Sequence, residues 1–296
     1  RQIMGIKRYT ANADTTITNA YKANLSTRAT GSNMGLADSL EVFHIYGQES
    51  SSSSENSRVL IDFPVTTTIT SDRSAGTIPA SGSVSWFLRV HNVAHPSTLP
   101  RNYNMTILAV SSSWGEGTGL DMEDYSDVGY ANWTSAASSS GGVTAWTTAG
   151  GDYHASTTGS TAYFDNGTED IEMDISHLVE EWVKGLSGGA KGNIYGVGIR
   201  MENESALSSS YTKKFSARGS QYFYSRPTLE ARWDSAIKDD RGNFYYSSSL
   251  APAADNLNDV YLYNYSRGRL VDIPGIGSGD NIYVNFYAST SDAPSG

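Results

Sequence analysis

The chain has no cysteine among its 296 residues. A disulfide scaffold, a thiolate metal site and a cysteine nucleophile are therefore excluded. The redox compartment stays open, because a fold without disulfides survives in either. Charge is also scarce. Asp, Glu, Lys and Arg make up 18% of the chain, against about 25% in an average soluble domain. Bases are the scarcer sign, 21 against 31 acids, for a net charge of −10. A pI near 4.9 argues against a protein that holds nucleic acid by neutralising phosphates. No run of about 18 apolar residues occurs, so no membrane insertion is expected. Residues 1–8, RQIMGIKR, lack the apolar stretch of a secretory signal. Met4 reads as the original start, with residues 1–3 as an extension. Met4-Gly5 makes a poor myristoylation signal, since Tyr9 sits where Ser or Thr is needed.

What the chain does have is 43 Ser, 25 Thr, 29 Gly and 19 Tyr, together 116 of 296 positions. That is poor helix material and good strand-and-turn material. Period-2 alternation is clear in several runs. Val59, Ile61, Phe63 and Val65 alternate with Arg58, Leu60, Asp62 and Pro64. Val84, Trp86, Leu88 and Val90 form a second run, and Tyr103, Met105, Ile107 and Ala109 a third. Tyr195, Val197, Ile199 and Met201 form a fourth, opposite Gly196 and Gly198. Leu229, Ala231 and Trp233 follow Pro227. Such strands, each with one buried face and joined by Ser/Gly/Asn turns, predict an all-β, jelly-roll-like β-sandwich. One segment differs. Ile175, Leu178, Val179, Trp182 and Val183 fall on one helical stripe between Asp174, a good N-cap, and Gly185, a good stop. A short helix capping one end of the sandwich is expected, with Trp182 pointing inward.

Polar tracts at 50–57, 135–142 and 187–191 read as loops, and most of 111–168 reads the same way. Beyond Asp234 the pattern changes. Residues 235–242 read as a linker, then Tyr261, Tyr263 and Tyr265, and later Ile282, Val284 and Phe286, alternate with their neighbours. The expected organisation is a β-sandwich over 9–234 and a second, small β-sandwich-like domain over 235–296 that could continue past the given residues.

Catalytic signatures are weak. Ser81-Gly82-Ser83 and Gly277-Ser278-Gly279 lack the flanks of a nucleophile elbow, and no phosphate-binding loop motif occurs. His91 and His95 are four apart, but Pro96 disfavours a shared helix face. Asp121, Glu123, Asp124 and Asp127 could offer carboxylate oxygens to Ca²⁺, yet they lack the alternating spacing of a calcium loop. A solvated acidic loop is the simpler reading, so no cofactor is expected. The tryptophans fall into two groups. Trp86, Trp182 and Trp233 lie on apolar faces and read as core. Trp114, Trp133 and Trp146 sit in polar sequence, where they could stack on sugar rings or instead pin the long loop to the sandwich. Six N-x-[ST] sequons, at Asn24, Asn104, Asn132, Asn166, Asn203 and Asn264, are unsurprising in a Ser/Thr-rich chain.

The order of several short motifs is familiar. Residues 13–17 (ADTTI), 58–63 (RVLIDF), 113–117 (SWGEG), 145–152 (AWTTAGGD), 192–197 (GNIYGV), 215–218 (FSAR) and 225–229 (SRPTL) follow one another across the first domain. This series resembles the DNRLRE or disaggregatase-related β-sandwich domains, some of which are carbohydrate-binding modules. The opening 6–17 (IKRYTANADTTI) and the acidic 121–127 (DMEDYSD) resemble virion structural proteins of marine contractile-tailed phages, including cyanophages. That second resemblance implies a non-enzymatic particle component of the tail, baseplate, neck or fibre, located in the virion. Its partners would be other virion proteins and copies of itself, with host-surface glycans as a further partner. A carbohydrate-binding module of a surface or secreted protein is the alternative.

Overall fold

A computed structural model describes residues 4–94, 100–123, 125, 129–139, 142–154, 160–185, 193–235, 250, 252–255, 261–276 and 281–283. The chain divides into two compact units, Arg1–Ala236 and Ile237–Gly296.

In the first unit, β1 (Met4–Thr10) and β2 (Ala13–Thr18) are followed by β3 (Ser39–Tyr46) and β4 (Ser54–Asp62). A wide helical turn, Val65–Ile69, runs into α1 (Thr70–Ser74). Next come β5 (Ser85–Val90), β6 (Tyr103–Ala109), β7 (Ser135–Ser139), β8 (Gly142–Ala145), β9 (Ser160–Phe164) and β10 (Ile171–Asp174). Helix α2 (Ser176–Gly185) precedes β11 (Val197–Met201), β12 (Tyr211–Ser216) and β13 (Thr228–Asp234). Every strand pair among the described residues is antiparallel. One sheet runs β1-β13-β5-β10. The other runs β12-β3-β4-β11-β6-β9, with β2 also paired to β4. The fold is all-β, as the alternation predicts.

The two sheets enclose one core. Trp86, Leu88, Leu229 and Ala231 meet Val42, Ile61, Ile107, Ile199 and Phe215, all fully buried. Helix α2 covers an end of this core with Leu178, Val179 and Trp182. The Asp174 carboxylate accepts the Ser176 N–H at 2.8 Å, the N-cap bond that the sequence anticipates.

Four expectations need correction. The tract 50–57 is a loop only as far as Ser53, since β4 begins at Ser54. The strand through Val65 stops at Asp62, because Pro64 has no N–H to give a ladder. Val65 and Ile69, four apart, then bury themselves from a helical turn instead. The tract 135–142 is not simply a loop: it holds β7, which pairs with β8 starting at its last residue, with a register shift between Ser135 and Ala137. Strand β1 pairs with β13 from Met4↔Asp234 to Thr10↔Thr228. Finally, the larger sheet is not solvated on its outer face. Leu60 and Ile17 point away from the main core yet are fully buried, beneath Ala131, Trp133, Ala136 and Trp146. The long 111–154 segment folds back over this face and forms a second, smaller core.

The outer face of the four-stranded sheet is charged instead. Glu230, fully buried, accepts hydrogen bonds from Arg8 Nε at 2.5 Å, Arg232 Nε at 2.6 Å and Arg89 Nη1 at 3.2 Å. Burial works against its ionisation, but the Arg8 and Arg232 hydrogen bonds outweigh it and hold the carboxyl below its usual range.

In the second unit, Tyr265–Ser266 (β14) and Arg269–Leu270 (β15) form a short hairpin across Arg267 and Gly268, both at positive φ. Tyr261 and Tyr263 lie outside any strand, so the first expected alternating run is not realised as one. Val284 and Phe286 of the second run, and the tract 187–191, lie outside the described residues.

Candidate functional site

At one end of the sandwich a cleft of 290 Å³ opens between the start of β2, the end of β4 and the end of α2. Ala13, Asp62, Ser113, Trp114, Trp182 and Tyr195 line it, among others. Asp62 is positioned by the break at Pro64, which turns the chain just after the carboxylate leaves the ladder. Burial pushes the Asp62 carboxyl up to about 6, against the pull of hydrogen bonds from the Asn12 side chain and the Phe63 N–H. Trp114 is half-buried, and its indole Nε1 donates to the Tyr195 carbonyl at 2.8 Å. That bond fixes the ring plane at the cleft wall. The arrangement offers a rigid aromatic surface, a carboxyl that gains a proton in mild acid, and nearby hydroxyl and amide groups. It suits binding a polar ligand with an apolar face.

The other two tryptophans do not join it. Trp133 is 8% exposed, and Trp146 is 5% exposed with its Nε1 donating to the Asn132 carbonyl at 2.8 Å. Arg58 stacks over the Trp133 ring at 4.9 Å, and a Cβ on Gly150 would meet the same ring at 2.9 Å. Both rings pack in the small core between the 111–154 cover and the larger sheet.

The acidic loop is engaged as well. Asp121 accepts the N–H groups of Glu123 at 2.9 Å and Tyr125 at 3.0 Å. The Glu123 carboxylate accepts the Ala23 N–H at 2.9 Å, and its carbonyl receives Lys22 Nζ. Asp124 and Asp127 lie outside the described residues. Among the described residues no group of three or more His, Asp or Glu is placed to hold a metal ion. His91 pairs with Asp170 at 3.0 Å, while His95 is outside the described residues.

Three of the sequence pieces meet at one part-buried cluster. Asp14 of ADTTI, Glu116 of SWGEG and Arg218 of FSAR converge. Arg218 donates to Glu116 at 2.6 and 2.9 Å, Asp14 accepts the Arg218 N–H at 2.5 Å, and the Asp14 N–H donates to Glu116 at 2.9 Å. Asn33 ties in the same loop through the carbonyls of Glu116 and Ala131 and the N–H of Gly119. Burial, reinforced by Glu116, pushes the Asp14 carboxyl up to about 7 despite Arg218. The cluster ties the start of β2 to the 111–154 cover and to the segment after β12. Asp62 and Tyr195, which do line the end cleft, passed unnoticed in the sequence. The one available signal was a carboxylate ending an apolar run just ahead of Pro64.

No protein-family model matches the chain, and no curated protein matches it. The DNRLRE and tailed-phage resemblances rest on the sequence motifs.

Proposed function

We propose that the protein is a non-enzymatic structural component of a phage virion that acts by burying surface against copies of itself or other particle proteins. The observation that carries this reading is a turn of consecutive exposed aromatics. Tyr222, Phe223 and Tyr224 are 66%, 58% and 86% exposed on the 3₁₀ turn before Pro227. Three large aromatics held in water cost free energy unless a partner covers them, and Tyr and Phe are enriched in interface cores. The turn is also braced. Arg226 donates to the Ser220 carbonyl at 2.9 Å and stacks over Phe223 at 5.5 Å, so little ordering is needed on association. The N-terminal resemblance to tailed-phage proteins supplies the setting. Replacing all three aromatics by Ala is expected to leave the fold intact and to reduce incorporation into particles at least about tenfold in competition with the wild-type chain. Equal incorporation would remove the turn from the account.

A second reading, glycan binding, is favoured by the end cleft, where Trp114, Tyr195 and Asp62 combine an aromatic wall with polar groups. A glycan array and calorimetry against polysaccharides would report it, with loss of binding in Trp114→Ala. Blank results in both would dismiss it.

A further inference from the structure

We propose that Lys213 and Asn92 form a covalent amide cross-link between the two sheets of the first unit. The inference rests on neither of the readings above. Lys213 lies in β12, in the larger sheet, and Asn92 lies two residues beyond β5, in the smaller one. Lys213 Nζ donates to Asn92 Oδ1 at 2.7 Å and to the Gly167 carbonyl at 2.8 Å. The two side chains are in contact although 121 residues separate them along the chain.

The backbone holds the pair together. Asn92 bridges to Phe215. On either side, the Ser216 N–H donates to the His91 carbonyl at 2.9 Å, and the Val93 N–H to the Lys214 carbonyl at 3.0 Å. Asp170 accepts the Asn92 N–H at 2.7 Å. Groups held at contact distance react as one molecule, which removes much of the entropic barrier.

Lys213 is also activated. It is fully buried, with the Phe164 and Phe215 rings 5.0 and 5.4 Å from Nζ. Burial pushes its ammonium down to about 8, against the pull of the Glu169 and Asp170 charges. An ammonium has three N–H groups to place, and Nζ finds two oxygen acceptors. Those two match a neutral amine and leave its lone pair for attack. Of the two carboxylates acting on Lys213, Glu169 acts more strongly and keeps one buried oxygen, Oε2, without a partner.

The step balances without a co-reactant. The ammonium sheds a proton to Glu169. The Nζ lone pair attacks Asn92 Cγ, and a C–N bond forms. A second proton passes from Nζ to Nδ2, the Cγ–Nδ2 bond breaks, and ammonia leaves with the proton that Glu169 held. Nothing is oxidised or reduced. Asn92 is only half-buried, which gives the ammonium ion a way out.

Intact-mass measurement and tryptic mapping of the full chain, incubated at mildly alkaline pH, test the proposal. The chain should be lighter than its sequence by one ammonia. Residues 90–101 should be joined through Asn92 to residues 201–214, with no cleavage after Lys213. Lys213→Met and Asn92→Ala should each show the full mass of its own sequence. Glu169→Gln should leave most of the chain unlinked. Separate, unlinked peptides carrying Asn92 and Lys213 from the folded wild-type chain overturn the proposal. So does a loss of ammonia that persists in Lys213→Met. A Glu169→Gln chain linked as fully as the wild type overturns the route given to the proton.

Discussion

Two buried carboxylates illustrate how the same chemical group acts in opposite directions. Asp14 is held up to about 7 by burial beside Glu116, against about 3.9 in an unfolded chain. The folded state binds its proton more tightly. The associated stability is complete below about pH 4 and is lost as pH rises through 7. Asp14→Asn mimics the protonated form. Its urea midpoint should gain on the wild type between pH 4 and 7 and run parallel above that; parallel curves throughout would contradict the assignment. Glu230 has the reverse sign. Three arginines keep its carboxyl below the usual range. Its contribution is present above about pH 4.3 and fades on acidification. Glu230→Gln should be destabilised at pH 7, with the gap to wild type closing in acid. Neither role was legible in the sequence. Their partners lie far along the chain, Glu116 102 residues from Asp14 and Arg8 222 residues from Glu230.

Among the elements, those with strong apolar alternation were legible. The strands around Val59, Trp86, Met105, Ile199 and Leu229 and the helical stripe of α2 formed where the periodicity placed them. The hairpin β7–β8 was not, because SAASS and GVTA carry too few large residues to reveal a period. The cover over the larger sheet was hidden for a related reason. Its anchors, Trp133 and Trp146, lie in Ser/Gly-rich sequence, and only the folded chain puts them on Leu60 and Ile17. Trp133→Ala should therefore cost about 3–5 kcal/mol, as for a buried core aromatic rather than a surface platform. Hydrogen exchange should quicken in 111–154 before it does in β5 or β13. Gly198 offers an independent check. A Cβ there would come within 2.3 Å of the Tyr153 ring, which lies over the strand with Arg200 5.6 Å from its centre. Gly198→Val should displace Tyr153 and loosen the same cover, read as a lower urea midpoint with the sandwich core preserved.

At the scale of the whole molecule, the last strand of the first unit among the described residues, β13, ends at Asp234. A chain truncated there should keep the calorimetric transition of that unit. The surface divides its labour. One sheet face is an ion-paired lattice and the other is roofed by its own loop. The aromatic turn at 222–224 and the Trp114 cleft are open to outside contact. Many of the charged side chains brace the fold through ion pairs. The central claim, that the partner is a phage particle, is tested most directly by quantitative mass spectrometry of purified virions. The account predicts peptides of this chain at a stoichiometry comparable to other tail or neck proteins. Their absence from particles that yield the remaining structural proteins would contradict it.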